Sequence, residues 1–253
     1  MNQQERLAKI LTYLDYHQTM DIQKMMETFR ISRDTARRDI VKLAEKNLVV
    51  RTHGGVSSTS FQEKIENYTN RSILQLKEKQ VIGKKAASII TSGELVYLDV
   101  STTVNFISPY LREKKITVVT NSIDCAYELA LSEEAIIHFL GGILNKNSRH
   151  VSGHSTLNKI KDFHFDKVFI GATGITKDGV YNGFEEDIYL KRELMKHADQ
   201  VVLVADHTKI NKRQHYKVLD LEHIDTFISD RPLPLDLSNT LEEAGIEIII
   251  TTD

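Results

Sequence analysis

Seven short apolar runs recur through the last two-thirds of this 253-residue chain, and stretches with helical spacing separate them. The runs are Leu95–Leu98, Ile116–Val119, Ile136–Leu140, Val168–Ile170, Val201–Val204, Thr226–Ile228 and Ile246–Ile250. Helical patterns fit 75–91, 103–113, 122–131, 154–161, 185–197 and 238–244. β-Branched runs buried on both faces, in βαβα order, predict a parallel sheet covered by helices.

Polar residues and glycines punctuate this pattern where a ligand site belongs. Asp99, Asn121, Gly141, Gly171 and Asp206 each follow, at once or nearly so, the last apolar residue of a predicted strand. Open parallel sheets bind ligands outside the carboxyl ends of their strands, so five such positions converge on one crevice. Ser101, Thr102 and Thr103 open the helix after the first strand, where hydroxyls and free N–H groups suit a phosphate. Gly141, Gly142 and Gly171 permit close backbone approach. Arg149 and Lys209 could neutralise a phosphate dianion, and Asp99 and Asp206 could accept hydrogen bonds from sugar hydroxyls. Singly, each motif reads as readily as a helix cap or a turn. Their convergence on one sheet edge argues for a ligand.

The first 60 residues have a different character. They hold 10 Lys+Arg and 7 Asp+Glu, whereas the rest of the chain holds 23 and 28. Seven cations lie between Arg30 and Arg51, against three acids. Leu7, Ile10, Leu11 and Leu14 predict a helix over 3–16. Asp21 is placed to cap a short second helix, with Ile22, Met25, Met26 and Phe29 turned inward. Ser32 can cap a third helix, with Asp34 in its first turn. Ala36, Ile40 and Leu43 form its buried stripe, while Arg37, Arg38 and Lys42 project away and Thr35 lies near the edge. Leu48–Arg51, the His53-Gly54-Gly55 turn and Val56 then suggest a hairpin wing. This pattern predicts a helix-turn-helix, whose last helix would enter a major groove. Arg37 and Arg38 point roughly 100° apart on a helix, so they cannot serve one base. One could fork onto a guanine edge while the other clamps a phosphate. Ser32, Arg33 and Thr35 at the helix start, and Arg51 and His53 in the wing, are further contact candidates.

The run Ser32-x-x-Thr35-x-Arg37-Arg38-Asp39-Ile40-x-x-Leu43, followed by Arg51-x-His53-Gly54-Gly55, resembles the N-terminal signature of the DeoR family of bacterial transcriptional regulators. The resemblance continues through Lys79-x-x-Ile82, Leu98-Asp99-x-Ser101-Thr102-Thr103, Thr120-Asn121-Ser122, Gly141-Gly142, Gly171-Ala172-x-Gly174 and Ala205-Asp206-x-x-Lys209. It implies a two-domain α+β chain. Residues 1–56 would be a winged helix-turn-helix, 57–74 a linker, and 75–253 a Rossmann-like α/β sensor resembling the sugar-phosphate isomerase and deaminase fold. It adds Lys191 to the candidate effector residues, on a helix that the family also marks with a lysine. The function implied is repression of a sugar-uptake or catabolic operon. The implied partners are double-stranded operator DNA, a phosphorylated sugar, and further copies of the chain in a dimer or tetramer. Ser101 stands where the family usually has glycine, His207-Thr208 where it has serines, and Ala36 where it has isoleucine or valine.

Other classes fit less well. His150 and His154 share i, i+4 spacing, but Ser152-Gly153 between them argues against one helix face, and no metal is expected. A dinucleotide is disfavoured because there is no G-x-G-x-x-G, and Gly171, Gly174 and Gly179 do not form a phosphate-binding P-loop. No cofactor is expected. No apolar run reaches the ~18 residues of a membrane span. The single cysteine, Cys125, and an N-terminus without signal-peptide character fit a cytoplasmic protein. The alternative is a sugar-phosphate isomerase or deaminase carrying a DNA-binding domain. Asp99, Asp206, Glu185 and Glu186 would be its available bases, although they form no recognised catalytic set.

Overall fold

The computed structural model describes residues 3–17, 19–46, 48–52, 54–58 and 68–251. Its contacts divide the chain into two units, 1–67 and 68–253.

The N-terminal unit comprises α1 (Gln3–His17), β1 (Thr19–Asp21), α2 (Ile22–Phe29), α3 (Arg33–Glu45), β2 (Val49–Arg51) and β3 (Gly55–Ser58). Side-chain oxygens fix both interior helix starts. Asp21 accepts from Lys24 N at 2.6 Å, and Ser32 accepts from Thr35 N at 3.3 Å. Arg30, left-handed at φ 51°, ends α2 and makes the turn. Leu7, Ile10, Leu14, Met25, Ala36, Ile40 and Leu43 close one small core with Met20, Val49 and Val56. Strand β1 went unforeseen because three residues carry no readable period. It pairs with β3, which also pairs with β2, to give a three-stranded wing sheet. Gly55 is required there, because a Cβ would lie 2.2 Å from the Met20 carbonyl oxygen.

The C-terminal unit starts with α4 (Tyr68–Ile73) and α5 (Leu76–Ser88). The segment read as linker from 57 to 74 therefore carries the end of β3 and all of α4, whose Tyr68 is buried. Strands β4 (Leu95–Leu98), β5 (Thr117–Thr120) and β6 (Ile136–Phe139) follow, then β7 (Ile143–Asn145), β8 (His150–Ser152), β9 (Phe165–Gly171), β10 (Gly174–Thr176) and β11 (Gly179–Asn182). The last four are β12 (Ala198–Val204), β13 (Tyr216–Leu219), β14 (Thr226–Ser229) and β15 (Glu247–Ile250). All seven expected runs enter one sheet, ordered β15-β14-β12-β9-β4-β5-β6, and every pairing in it is parallel.

Helices α6 (Ile123–Leu129), α7 (His154–Ile160), α8 (Glu186–Met195) and α9 (Leu235–Glu243) complete the layers. Two apolar cores lie on the sheet, one around Tyr97, Phe165 and Phe227 and the other around Ile82, Val96 and Phe169. The helix expected over 103–113 is instead a 3₁₀ segment, Val104–Leu111, with Pro109 inside it. Proline removes a backbone donor and clashes with the preceding turn of an α-helix. The small sheets β7-β8 and β10-β11-β13 were also unforeseen. Their three- and four-residue strands are too short to show alternation.

Candidate functional site

The residues expected to contact DNA lie on α3 and the wing. Arg33, Arg37, Arg38 and Lys42 are exposed on α3, and Arg51 is exposed on β2. Thr35 is half-buried, with its hydroxyl 2.9 Å from that of Ser32. Arg33, Arg37, Arg51, Thr52 and Gly54 line one cleft of about 800 Å³ between α2, α3 and the wing. Arg38 lies on the other side, with Gln3, Lys42 and Glu45 around a second depression that Arg37 also borders. The two adjacent arginines thus diverge, as the helical turn requires. His53 lies outside the described residues.

A buried ion pair, missed from sequence, orients this helix. Asp39 is fully buried and accepts from Arg6 Nε at 2.5 Å and Arg6 Nη2 at 3.1 Å. The hydrogen bond to Asp39 raises the Arg6 pKa further. Gln3 donates to Asp39 at 3.0 Å and accepts from Lys42 Nζ at 2.8 Å. In the sequence Asp39 sits beside Arg37 and Arg38, and nothing local marks it as buried. Only tertiary packing shows that it anchors α1 to α3.

Several of the residues expected to bind an effector meet where the strand order reverses. From β4 the chain steps through β5 and β6 on one side, then returns at β9 on the other side of β4. Asp99 follows β4 and Gly171 ends β9, so both lie at this switch point, where open α/β sheets bind ligands. Asp99 accepts from Gly171 N at 3.1 Å and pairs with the Lys191 ammonium from α8. The two side chains are 5% and 2% exposed, so the pair is shut away from water. Gly171 cannot be larger, because a Cβ would lie 2.1 Å from Ser101 Oγ.

Ser101 accounts for two N–H groups that the sequence offered to a phosphate. Its hydroxyl accepts from Thr103 N at 3.2 Å and Val104 N at 3.4 Å, capping the 3₁₀ turn internally. Thr102 and Thr103 are buried. Asn121, after β5, accepts from Tyr97 Oη at 2.8 Å and donates to the Val151 carbonyl at 2.9 Å. The Gly141 carbonyl, after β6, accepts from Thr156 Oγ1 at 2.7 Å. A Cβ on Gly142 would lie 2.4 Å from that same hydroxyl.

Asp206 is fully buried two residues past β12. Its Oδ1 accepts from Thr208 N at 2.9 Å, whereas its Oδ2 has no hydrogen-bond partner among the described residues. Lys209 closes the same 3₁₀ turn, with its N–H on the Asp206 carbonyl at 3.0 Å.

Arg149 does not point its charge at an open crevice. It pairs with Asp124 at 2.5 Å, with its side chain 53% exposed.

Three polar residues beside these strand ends were not foreseen. Asp187, four residues before Lys191 on α8, accepts from Asn182 Nδ2 at 2.9 Å. Burial raises the Asp187 pKa and Asp99 raises it further, against the pull of Lys191. The i, i+4 spacing of Asp187 and Lys191 was a usable signal. Asn182 and Tyr97 gave none, because their roles depend on strands meeting in space.

A cationic recognition helix with a wing, joined in one chain to a parallel α/β unit with a buried polar switch point, defines a DNA-binding transcriptional regulator. Comparison with known proteins agrees. The DeoR-like helix-turn-helix domain matches residues 6–62, and the DeoR C-terminal sensor domain matches residues 74–231. The chain belongs to the DeoR family. The HTH-type transcriptional repressor GlcR of Bacillus subtilis (strain 168) is 39% identical over 251 residues, covering 99% of this chain and 97% of its own. The glycerol-3-phosphate regulon repressor of Escherichia coli (strain K12) is 28% identical over 250 residues, covering 98% and 99%. Among solved structures, ribose 5-phosphate isomerase A from Neisseria gonorrhoeae overlaps 53% of each chain at 18% identity and a TM-score of 0.39. Among the described residues, no helix is long and apolar enough to cross a membrane.

Proposed function

We propose that the chain represses a sugar-uptake or catabolic operon and that a phosphorylated sugar in the sensor crevice controls it. The carrying observation is the Asp206 carboxylate, fully buried at the strand ends, whose Oδ2 has no hydrogen-bond partner among the described residues. Such an oxygen costs free energy unless a donor reaches it, and a sugar hydroxyl is a donor of the right kind. The cation at Lys209, and Arg149 if it leaves Asp124, supply the charge for a phosphate. Family membership and the repressors named above support the regulatory half of the reading.

The same geometry argues against turnover. The buried Asp99 carboxylate takes both the Lys191 ammonium and Gly171 N on Oδ2, so it serves as an anchor between β4, β9 and α8. Glu185 and Glu186 are exposed at the start of α8, where Glu186 accepts from Ser152 Oγ at 3.4 Å. On this reading the protein works in the cytoplasm, as a dimer or tetramer on paired half-sites of double-stranded DNA. Two-fold operators require two readers.

A thermal-shift screen of the full chain against phosphorylated and free sugars tests the proposal. A ligand at about 100 times its dissociation constant adds roughly 2.7 kcal/mol to the folded state. One phosphosugar should shift the transition selectively and its unphosphorylated form should not. A flat response to the whole panel would refute the sensor assignment.

A further inference from the structure

The covalent path from the reader to the sensor passes through Tyr68, the first described residue after the segment 59–67. Tyr68 is buried, and its hydroxyl donates to Asp124 Oδ2 at 2.6 Å. The other oxygen of that carboxylate, Oδ1, forms an ion pair with Arg149 Nη2 at 2.5 Å. One carboxylate therefore joins the entry residue of the sensor to Arg149.

The backbone around Arg149 is bonded to the segment that leaves β5. Ile123 N donates to the Arg149 carbonyl at 3.0 Å, Val151 N donates to the Asn121 carbonyl at 3.0 Å, and Ser122 bridges His150. Arg149 is left-handed at φ 54°, a conformation that non-glycine residues adopt at a cost. Its backbone is thus fixed beside Asn121 while its guanidinium, over half exposed, is held chiefly by Asp124. Asp124 is 16% exposed and lies in the first turn of α6, which Ser122 caps. It is a fixed station, whereas the arginine side chain can move.

We infer that Tyr68, Asp124 and Arg149 form a release relay, in which the effector's phosphate draws Arg149 off Asp124 and so loosens the hold on Tyr68 and the connector. This inference rests on the reading of the crevice as a phosphorylated-sugar site. The charge balance favours the transfer. A phosphate carries about −1.5 to −2 at neutral pH against −1 for the carboxylate, and a guanidinium binds either in a fork. The loss of Arg149 matters to Tyr68 because the same Asp124 carboxylate then sits partly buried without its cation. To regain solvation it turns toward water by a rotamer change, and that breaks the bond to the phenol. Burial and the hydrogen bond to Asp124 both raise the Tyr68 pKa, so the phenol remains a donor throughout. Lys79, buried on α5, donates to the carbonyls of Arg71 and Leu74 and so holds the far end of α4. Release at Tyr68 would therefore free the end of α4 that faces the reader in sequence and leave the other end docked.

Hydrogen–deuterium exchange on the full chain, read at Tyr68–Ile73, tests the relay, with inorganic phosphate at high millimolar concentration as the probe. Phosphate should raise exchange there roughly tenfold, the equilibrium equivalent of losing one charge-assisted hydrogen bond. Arg149→Gln and Asp124→Asn should show the fast rate without phosphate and no further response, while Arg149→Lys keeps a response. Tyr68→Phe should exchange fast with the phosphate-induced thermal shift unchanged. A merely structural ion pair would raise exchange in the variants but leave the wild type indifferent to phosphate, and that result overturns the relay. A phosphate-induced thermal shift without any change at 68–73 also overturns it, while leaving the sensor reading intact. If neither phosphate nor any phosphosugar shifts the transition, the sensor reading itself fails and the relay loses its trigger.

Discussion

Replacing Lys191 with methionine keeps most of the side-chain volume and removes the charge, so it isolates the buried pair at the switch point. In the native protein the ammonium and the Asp99 carboxylate are 2% and 5% exposed. Without Lys191, the Asp99 carboxylate keeps, among the described residues, the bond from Gly171 N at 3.1 Å. Removing one partner of a buried pair costs about 3–5 kcal/mol, because the remaining charge is left desolvated and uncompensated. For a unit of this size each kcal/mol shifts the melting temperature by about 2–4 °C, so the sensor transition should fall by about 6–20 °C. Circular dichroism melts of the full chain would show this in the sensor transition. The double variant Asp99→Asn/Lys191→Met should recover part of the loss, since it leaves no unpaired charge. A single Lys191→Met variant within about 1 kcal/mol of wild type, with no coupling in the double variant, would refute the claim that the switch point is organised by this pair.

Other perturbations address separate parts of the molecule. Asp39→Ala leaves the Arg6 guanidinium buried and should cost the small N-terminal unit about 3–5 kcal/mol, abolishing DNA binding while the sensor melt is unchanged. On DNA, Lys42→Ala should reduce the salt slope of binding by about 1 and affect all sequences alike. Arg37→Ala should instead cost about 1–3 kcal/mol at one base position, read by competition with operator variants. Ser101→Gly frees the N–H groups of Thr103 and Val104. It should tighten phosphate binding about tenfold in thermal-shift titrations, and weaker binding would show that the Ser101 hydroxyl itself contacts the anion. Asp187 has its pKa raised in the fold, so its contribution to stability is present below its unfolded pKa of about 3.9 and is lost as pH rises through the folded value. Asp187→Asn should therefore gain stability on the wild type as pH rises from about 4 to 7, and denaturation midpoints that track together across that range would exclude this.

Much of the fold was legible because its signals are local. The seven β-branched runs, the caps at Asp21 and Ser32 and the stripe Ala36, Ile40 and Leu43 depend on spacing and backbone chemistry within a few residues. The strand-end positions Asp99, Asn121, Gly171 and Asp206 were readable for the same reason, since strand ends are marked where apolar runs stop. The 3₁₀ segment over Val104–Leu111 was misread as α-helical although Pro109 was in plain view, because the apolar periodicity continued through it. Partnerships were not legible, because no local pattern records which charges meet. Arg6 and Asp39 are 33 residues apart, Lys191 and Asp99 are 92 apart, and Tyr68 and Asp124 are 56 apart. Sequence alone thus determined a cationic helix-turn-helix and a parallel α/β unit with polar strand ends. Only the tertiary structure decided that Asp39 and Lys191 are buried anchors, that Ser101 caps its own loop, and that Arg149 rests on Asp124. Burial turns a solvated charge into one that must find a partner, and burial is set by the whole packed chain.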